Sequence, residues 1–148
     1  MALTTFKAVT HKGNEGLVAI GETRGFKVVM DEPESLGGTN KGFNPVEMLL
    51  VALGGCLVIV ASVFAKSQEI DLQDIWVETE GDLDPAGFMH GKEGVRPGFQ
   101  TVRATIHIKS NSPEDKLLEF QKFMESRCPV SDTLMGTQVV AEKLIIER

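Results

Sequence analysis

The chain has 148 residues, of which 42% are hydrophobic and 24% are charged, and its net charge is -6. This length suits one domain, residues 1–148, that can fold without crosslinks. The acidic balance and the scattered basic residues disfavour nucleic acid and membrane surfaces as partners. The N-terminus lacks the continuous apolar segment of a signal peptide, so we expect a cytoplasmic location.

The first third of the chain predicts strands, a loop and the start of a long helix. Apolar and polar residues alternate loosely in FKAVTHK, LVAIGET and FKVVMDE, which predicts two or three antiparallel strands with tight turns. The next stretch, DEPESLGGTNKGFNP, predicts a loop. Asn44, Pro45 and Glu47 then form a helix start with a capping box.

This helix extends to about Lys66 and is apolar all round, so we expect burial on most sides, shared with a second copy in a dimer. Its uncharged run, residues 48–65, just reaches the length of a transmembrane candidate. Gly54 and Gly55 lower its helix propensity, and the rest of the chain has the pattern of a soluble domain. We therefore favour a buried central helix over a membrane span.

The second half predicts a strand in LQDIWVETEGDL, a long Gly-rich connection in DPAGFMHGKEGVRPGF, and the most regular strand in QTVRATIHIKS. A helix follows in PEDKLLEFQKFMESR, then a short helical turn in CPVSDTLMG closed by Gly136, then a last strand in TQVVAEKLIIER. The order β-β-(β)-α-β-β-α-β, with strands in hairpin pairs, predicts an α+β fold with mostly antiparallel sheet.

The chain has two cysteines, and the first, Cys56, directly follows Gly54 and Gly55 in the apolar helix. A core position explains Cys56, since free cysteine is among the most buried residue types. The glycine pair favours another explanation, a thiol that a ligand or a backbone approaches closely. We expect the partner helix of a dimer to pack against these glycines.

The second cysteine, Cys128, directly precedes Pro129. If Pro129 is the first residue of the next helix, Cys128 is its N-cap, and the helix N-terminus and Arg127 lower the pKa of its thiol. If Ser131 is the cap, Cys128 merely ends the preceding helix, and the sequence leaves both possibilities open. Two thiols that meet in the fold can reduce a peroxide through a sulfenic acid and a disulfide.

Two stretches, VMDEPESLGGTNKGFNPVEMLLVALGGC and RCPVSDTL, resemble the OsmC/Ohr family of thiol-dependent organic hydroperoxide reductases, and most closely its OsmC-like branch. The resemblance implies an intertwined homodimer, in which sheets wrap two central helices and the active site lies at the dimer interface. It implies that Cys56 attacks the peroxide and that Cys128 resolves the product. It further implies no metal or bound cofactor, a lipoyl-type dithiol as the external reductant, and alkyl or lipid hydroperoxides as substrates.

Family members carry an Arg-Glu pair that activates the first cysteine. Their glutamate directly follows Asn-Pro, where this chain has Val46, and Glu47 comes one position later. Glu47 lies about 180° around the helix and ~13 Å along it from Cys56, so it cannot reach Cys56 of its own chain. A capping role suffices for Glu47, although a dimer offers other geometries. Arg24 is the first candidate for the arginine, and Arg96 is the second.

Two functions are consistent with these residues. The first is a cytoplasmic dimeric peroxidase that uses a Cys56–Cys128 cycle, and the second is a non-catalytic ligand-binding or redox-sensing protein of the same fold that holds a small apolar ligand. Val46 favours the second, whereas the two cysteines in their motifs favour the first. We expect the enzyme, although fold resemblance alone does not determine function.

Overall fold

The computed structural model describes residues 3–134 and 138–148, with side chains outside 138–143. The chain divides into two compact units, Met1–Leu49 and Leu50–Arg148. That the whole chain is one domain stays a prediction. The elements confirm the α+β class and the predicted order, with one added helix. In chain order they are β1 (Val9–Lys12), β2 (Ala19–Thr23), β3 (Phe26–Met30), α1 (Pro45–Phe64), β4 (Leu72–Asp82), α2 (Pro85–His90), β5 (Thr101–Ser110), α3 (Glu114–Arg127), α4 (Pro129–Thr133) and β6 (Gln138–Glu147).

The first unit contains an antiparallel sheet in the order β1-β2-β3. Arg24 and Gly25 form the turn between β2 and β3, and both have positive φ angles, 52° and 84°. Two-residue hairpin turns of this hand match the twist of the flanking strands, and glycine adopts the second position without strain. The predicted hairpins of this region are therefore confirmed.

The loop after β3 is organised by one buried carboxylate, Asp31, which is 2% exposed. It accepts hydrogen bonds from the backbone amides of Glu32, Thr39 and Lys41 and from the Thr39 hydroxyl. These hydrogen bonds lower the pKa of Asp31 to about 2, and the bond from the Thr39 hydroxyl has the largest effect. The carboxylate thus fixes the path of the chain towards α1.

The start of α1 has the predicted capping box. The Asn44 amide donates to Glu47 Oε2 at 2.8 Å, and the Glu47 amide donates to Asn44 Oδ1 at 2.8 Å. Each side chain therefore satisfies a backbone donor that the first turn of a helix leaves unpaired.

The second unit contains a mixed sheet in the order β4-β5-β6. β4 and β5 pair antiparallel, but β6 lies parallel to β5 and is reached through α3 and α4. The prediction that strands come in hairpin pairs is wrong for β6, because a parallel neighbour needs a crossover connection. One face of the alternating strand β5 is fully buried, and it consists of Val102, Ala104, Ile106 and Ile108.

The helix α2 lies in the stretch predicted as a Gly-rich connection, so that prediction is wrong for six residues. The Asp84 side chain caps the helix by accepting from the Ala86 amide at 2.9 Å, and Pro85 occupies the first helical position. Gly91 ends the helix in a left-handed conformation. Asp-Pro followed by a glycine is a helix signal that the high glycine content of this stretch concealed.

The core of the second unit lies between the sheet and one face each of α1 and α3. The helices contribute Leu53, Leu57, Val60, Ala61, Leu117, Phe120 and Met124, all at most 7% exposed. Full burial of a large apolar side chain stabilises a protein by about 1.5–3 kcal/mol. This face therefore holds α1 firmly against β5.

The opposite face of α1 is apolar and exposed, with Ile59 at 65% and Val63 at 64%. Within one chain only 28% of the most apolar window of α1 is buried. In the described ranges, α1 is the one helix long and apolar enough to cross a membrane, a test that the core helices of soluble proteins also pass. The prediction that α1 is buried on most sides requires a second copy of the chain, and it stays a prediction.

Candidate active site

The fold brings the two cysteines into contact. Cys56 lies in the middle of α1, and Cys128 lies between the end of α3 and the start of α4. Their Sγ atoms are 2.7 Å apart, and the Cys128 thiol donates a hydrogen bond to the Cys56 sulfur. Both are free cysteines; Cys56 is half-buried, whereas Cys128 is only 2% exposed. The pair therefore has one accessible sulfur and one enclosed sulfur.

Cys128 is the N-cap of α4, which decides between the two possibilities that the sequence left open. Its Sγ accepts a hydrogen bond from the Ser131 amide at 3.3 Å, and Pro129 occupies the first helical position. The same residue also ends α3 in an extended conformation. The predicted closing residue of this turn, Gly136, lies outside the described residues.

The prediction that this position lowers the pKa of Cys128 is wrong. Burial is the largest effect and, with the hydrogen bond to Cys56, it raises the pKa of the Cys128 thiol to about 11. The amide of Ser131 acts in the opposite direction but is outweighed. Arg127 does not change this balance, since its guanidinium lies over the Phe123 ring, 5.4 Å from the centroid. Cys128 is therefore held as a neutral thiol at ordinary pH.

An aromatic seam joins α3 to α1, with one ring contact between the helices and a second within α3. The Phe64 and Phe123 rings meet edge to face with centroids 5.2 Å apart. The Phe120 and Phe123 rings stack at 6.4 Å. Edge-to-face and stacked pairs add about 0.5–1.5 kcal/mol beyond the area they bury. Because this seam fixes α3, it also fixes the position of Cys128 at the end of that helix.

The two glycines before Cys56 have different environments. Gly54 is buried against β4, where an added Cβ would lie 3.7 Å from both Thr79 Cγ2 and the Val77 carbonyl oxygen. Gly55 is exposed, and an added Cβ there would meet nothing within 4 Å. The expectation that both glycines serve a partner helix is therefore wrong for Gly54, which packs against a strand of its own chain.

A contact that the sequence did not reveal holds this part of α1. The Thr79 hydroxyl donates to the Leu50 carbonyl at 3.1 Å. Thr79 lies on β4, beside the position of Gly54. A threonine in an alternating strand carries no signal for such a bond, because the partner is known only once the helix is packed.

The other predicted site residues lie outside this contact. Glu47 is engaged in the capping box with Asn44. Arg24 lies in the hairpin turn of the first unit, with its guanidinium 5.6 Å from the centroid of the Phe26 ring. The carbonyl of Arg96 accepts from the Gln100 side chain. An action of Glu47, Arg24 or Arg96 on Cys56 stays a prediction.

A groove of about 770 Å³ follows the C-terminal half of α1 and the start of β4, but neither cysteine lines it. Its lining mixes polar residues such as Ser62 and Glu69 with apolar residues such as Val58 and Ile70. Within residues 3–134 and 138–148, no group of three or more His, Cys, Asp or Glu residues could hold a metal ion. The thiol pair is thus the best candidate for a reactive centre.

Comparison with known proteins relates this chain to one family. The model of the OsmC-like protein family matches residues 38–143, which include Cys56 and Cys128. A protein of Mycoplasma genitalium named hydroperoxide reductase is 30% identical over 101 residues, which are 66% of this chain and 66%, just under two thirds, of that protein.

Two solved structures share the fold. An OsmC-like protein from Mycoplasma pneumoniae has a TM-score of 0.83 at 20% identity, covering 96% of this chain and 98% of the other. An organic hydroperoxide resistance protein, OsmC, from Legionella pneumophila has a TM-score of 0.70 at 23% identity, with both chains fully covered. Since the family model spans well over half of the sequence, the chain belongs to the OsmC-like protein family.

Proposed function

We propose that this protein is a thiol-dependent peroxidase that reduces organic hydroperoxides with Cys56 and Cys128. The observation that carries the proposal is the 2.7 Å separation of two sulfurs that lie 72 positions apart in the chain. The name of the Mycoplasma genitalium relative, hydroperoxide reductase, supports the same reaction class.

The difference in burial supports distinct roles for the two thiols. Cys56 is half-buried, so it is the sulfur of the pair that a peroxide can reach. Cys128 is enclosed, and its raised pKa keeps it protonated, which suits a resolving thiol better than an attacking thiolate.

The reaction has two balanced steps. The Cys56 thiolate attacks the outer oxygen of the hydroperoxide, the O–O bond breaks, and the alcohol leaves after taking up a proton. Cys56 is then a sulfenic acid. The Cys128 sulfur attacks the Cys56 sulfur, a disulfide forms, and the hydroxyl leaves as water with the proton of Cys128. The peroxide gains two electrons and the thiol pair loses two.

An external dithiol of the lipoyl type then restores the two thiols, and the cycle needs no bound cofactor. The residues of α1 that flank Cys56 are apolar, which favours alkyl or lipid hydroperoxides over hydrogen peroxide. The exposed apolar face of α1 supports a homodimer built on this helix, since an apolar patch of this kind commonly marks an interface.

The test is turnover of cumene hydroperoxide with dihydrolipoamide as the reductant. Wild-type protein should turn over many times, and Cys56→Ser should abolish the reaction. Cys128→Ser should complete one turnover per chain and then accumulate a Cys56 sulfenic acid. Ser126→Ala is a matched control, since Ser126 is exposed and lies two residues from Cys128.

The decisive result is the comparison of wild type with Cys56→Ser. Equal activity in the two proteins would contradict the proposal and favour the ligand-binding or sensing protein of the same fold. A greater loss of peroxidase activity in Ser126→Ala than in Cys128→Ser would contradict the resolving role of Cys128.

A further inference from the structure

We infer that the external reductant attacks the Cys56 sulfur of the oxidised pair, and that Cys128 is the sulfur that leaves. The inference rests on the proposed function and adds to it the direction of the reductive step. A disulfide has two sulfurs, and exchange depends on which one a thiolate can approach.

Access distinguishes the two sulfurs. Cys128 is 2% exposed and lies inside the core cluster, behind Cys56. Cys56 is half-buried, so its sulfur is the one of the pair that a thiolate can approach. A second copy on the exposed face of α1 would leave Cys128 just as enclosed, because its own chain already buries it.

Burial raises the pKa of Cys128 and so slows its departure, and the Ser131 amide offsets part of this effect. The Ser131 amide already donates to Cys128 Sγ at 3.3 Å, and this donor remains when negative charge develops there. Pro129, which directly follows Cys128, has no amide hydrogen. The hydrogen-bond donor to Cys128 Sγ therefore comes from a later residue in the first turn of α4. The expelled sulfur thus meets a fixed hydrogen-bond donor at the moment it needs one.

The step balances as follows. The first thiolate of the dithiol bonds to Cys56, the Cys56–Cys128 bond breaks, and Cys128 leaves as a thiolate. The second thiol of the reductant then attacks its own first sulfur, closing a cyclic disulfide and releasing Cys56. Its proton passes to Cys128, whose pKa is raised by burial. The reductant loses two electrons and the protein gains two.

One consequence is that peroxide and reductant use the same sulfur from the same side. Cys56 becomes the point of contact for both substrates, whereas Cys128 touches neither.

The experiment forms the disulfide with diamide, so that it does not depend on peroxidase activity. Oxidised protein is treated briefly with 2-mercaptoethanol, quenched in acid so that thiol exchange stops, and mapped by peptide mass spectrometry. We expect the mixed disulfide on Cys56 and a free thiol at Cys128, in on the order of tenfold excess over the reverse pattern. The reverse pattern, or equal amounts of both, would overturn the inference.

A pair of variants tests the leaving sulfur separately. Ser131→Pro removes the amide donor at a position in the first helical turn, and Ser131→Ala, which keeps it, is the reference. We expect disulfide reduction to be roughly threefold to tenfold slower in the proline variant. Equal rates would overturn the role of the amide. If diamide forms no Cys56–Cys128 disulfide, both this inference and the proposed function fail, whereas poor peroxide turnover with normal exchange contradicts the function alone.

Discussion

Replacing Gly54, two residues before Cys56, by alanine should make the protein more stable. The added Cβ would lie 3.7 Å from Thr79 Cγ2 and from the Val77 carbonyl oxygen, which is ordinary van der Waals contact. Alanine is favoured over glycine within a helix by about 1 kcal/mol. We therefore expect the free energy of unfolding to rise by up to about 1 kcal/mol, because the space beside β4 accepts a methyl group.

A larger side chain at the same position should have the opposite effect. In Gly54→Leu the atoms beyond Cβ must enter β4, and overpacking of this kind commonly costs about 1–3 kcal/mol. Urea unfolding followed by circular dichroism at a fixed protein concentration measures both changes. A loss of more than about 1 kcal/mol in Gly54→Ala would refute the packing argument, since it would mean that β4 lies closer to α1 than the contact distances allow.

Gly55→Ala is the matched comparison, because its added Cβ meets nothing within the chain. A single chain should again gain up to about 1 kcal/mol from helix propensity. In a dimer whose helices cross at Gly55, the same change should weaken self-association, which sedimentation at several concentrations detects. Unchanged association would exclude a close helix crossing at this residue.

Three further predictions concern ionisation and capping. The alkylation rate of Cys128 should still rise above pH 9, where an ordinary cysteine levels off, because its pKa is about 11; a plateau near pH 9 would contradict its burial. The stabilising effect of the Asp31 carboxylate is present above pH 3.8 and is lost as the pH falls through about 2. The free energy of unfolding of Asp31→Asn should therefore depend less on pH in this range than that of the wild type. The same pH dependence in both proteins would contradict this role of Asp31. Asn44→Ala should lower the free energy of unfolding, measured by thermal or urea unfolding, by about 1 kcal/mol. Glu47→Gln should lower it less, since glutamine also completes a capping box. Lost peroxidase activity with intact stability in Glu47→Gln would indicate that Glu47 has a chemical role instead.

Local patterns in the sequence predicted most of the fold. The capping residues Asn44 and Glu47 act within one turn, and the alternation of β5 depends only on which side of a strand is buried. The parallel pairing of β6 was missed because it depends on where α3 and α4 return the chain. Such a crossover depends on how the helices pack, so the sequence of the strand alone does not indicate whether its neighbour is parallel.

The site was predicted in part for the same reason. Both motifs identified Cys56 and Cys128, and the structure brings their sulfurs together. The sequence suggested a low pKa for Cys128 from its position before a helix, but burial has the opposite effect and is larger. Burial of a single side chain is set by the whole core, so a local motif cannot predict it.

The surroundings of Gly54 explain why a glycine stands two residues before Cys56. Gly54 allows β4 to lie against α1, and the adjacent Thr79 hydroxyl bonds to a carbonyl of the same helix. The Phe64–Phe123 contact joins α1, which carries Cys56, to α3, which ends at Cys128. Stability and chemistry are thus linked, because the distance between the sulfurs depends on how both elements pack.

The most direct test of the central claim is a thiol count after one equivalent of cumene hydroperoxide is mixed with the reduced protein. The account predicts that both thiols are lost together, that mass spectrometry finds one Cys56–Cys128 disulfide within a chain, and that one equivalent of alcohol forms. It also predicts slower loss with hydrogen peroxide. Survival of both thiols in the presence of excess organic hydroperoxide would contradict the account.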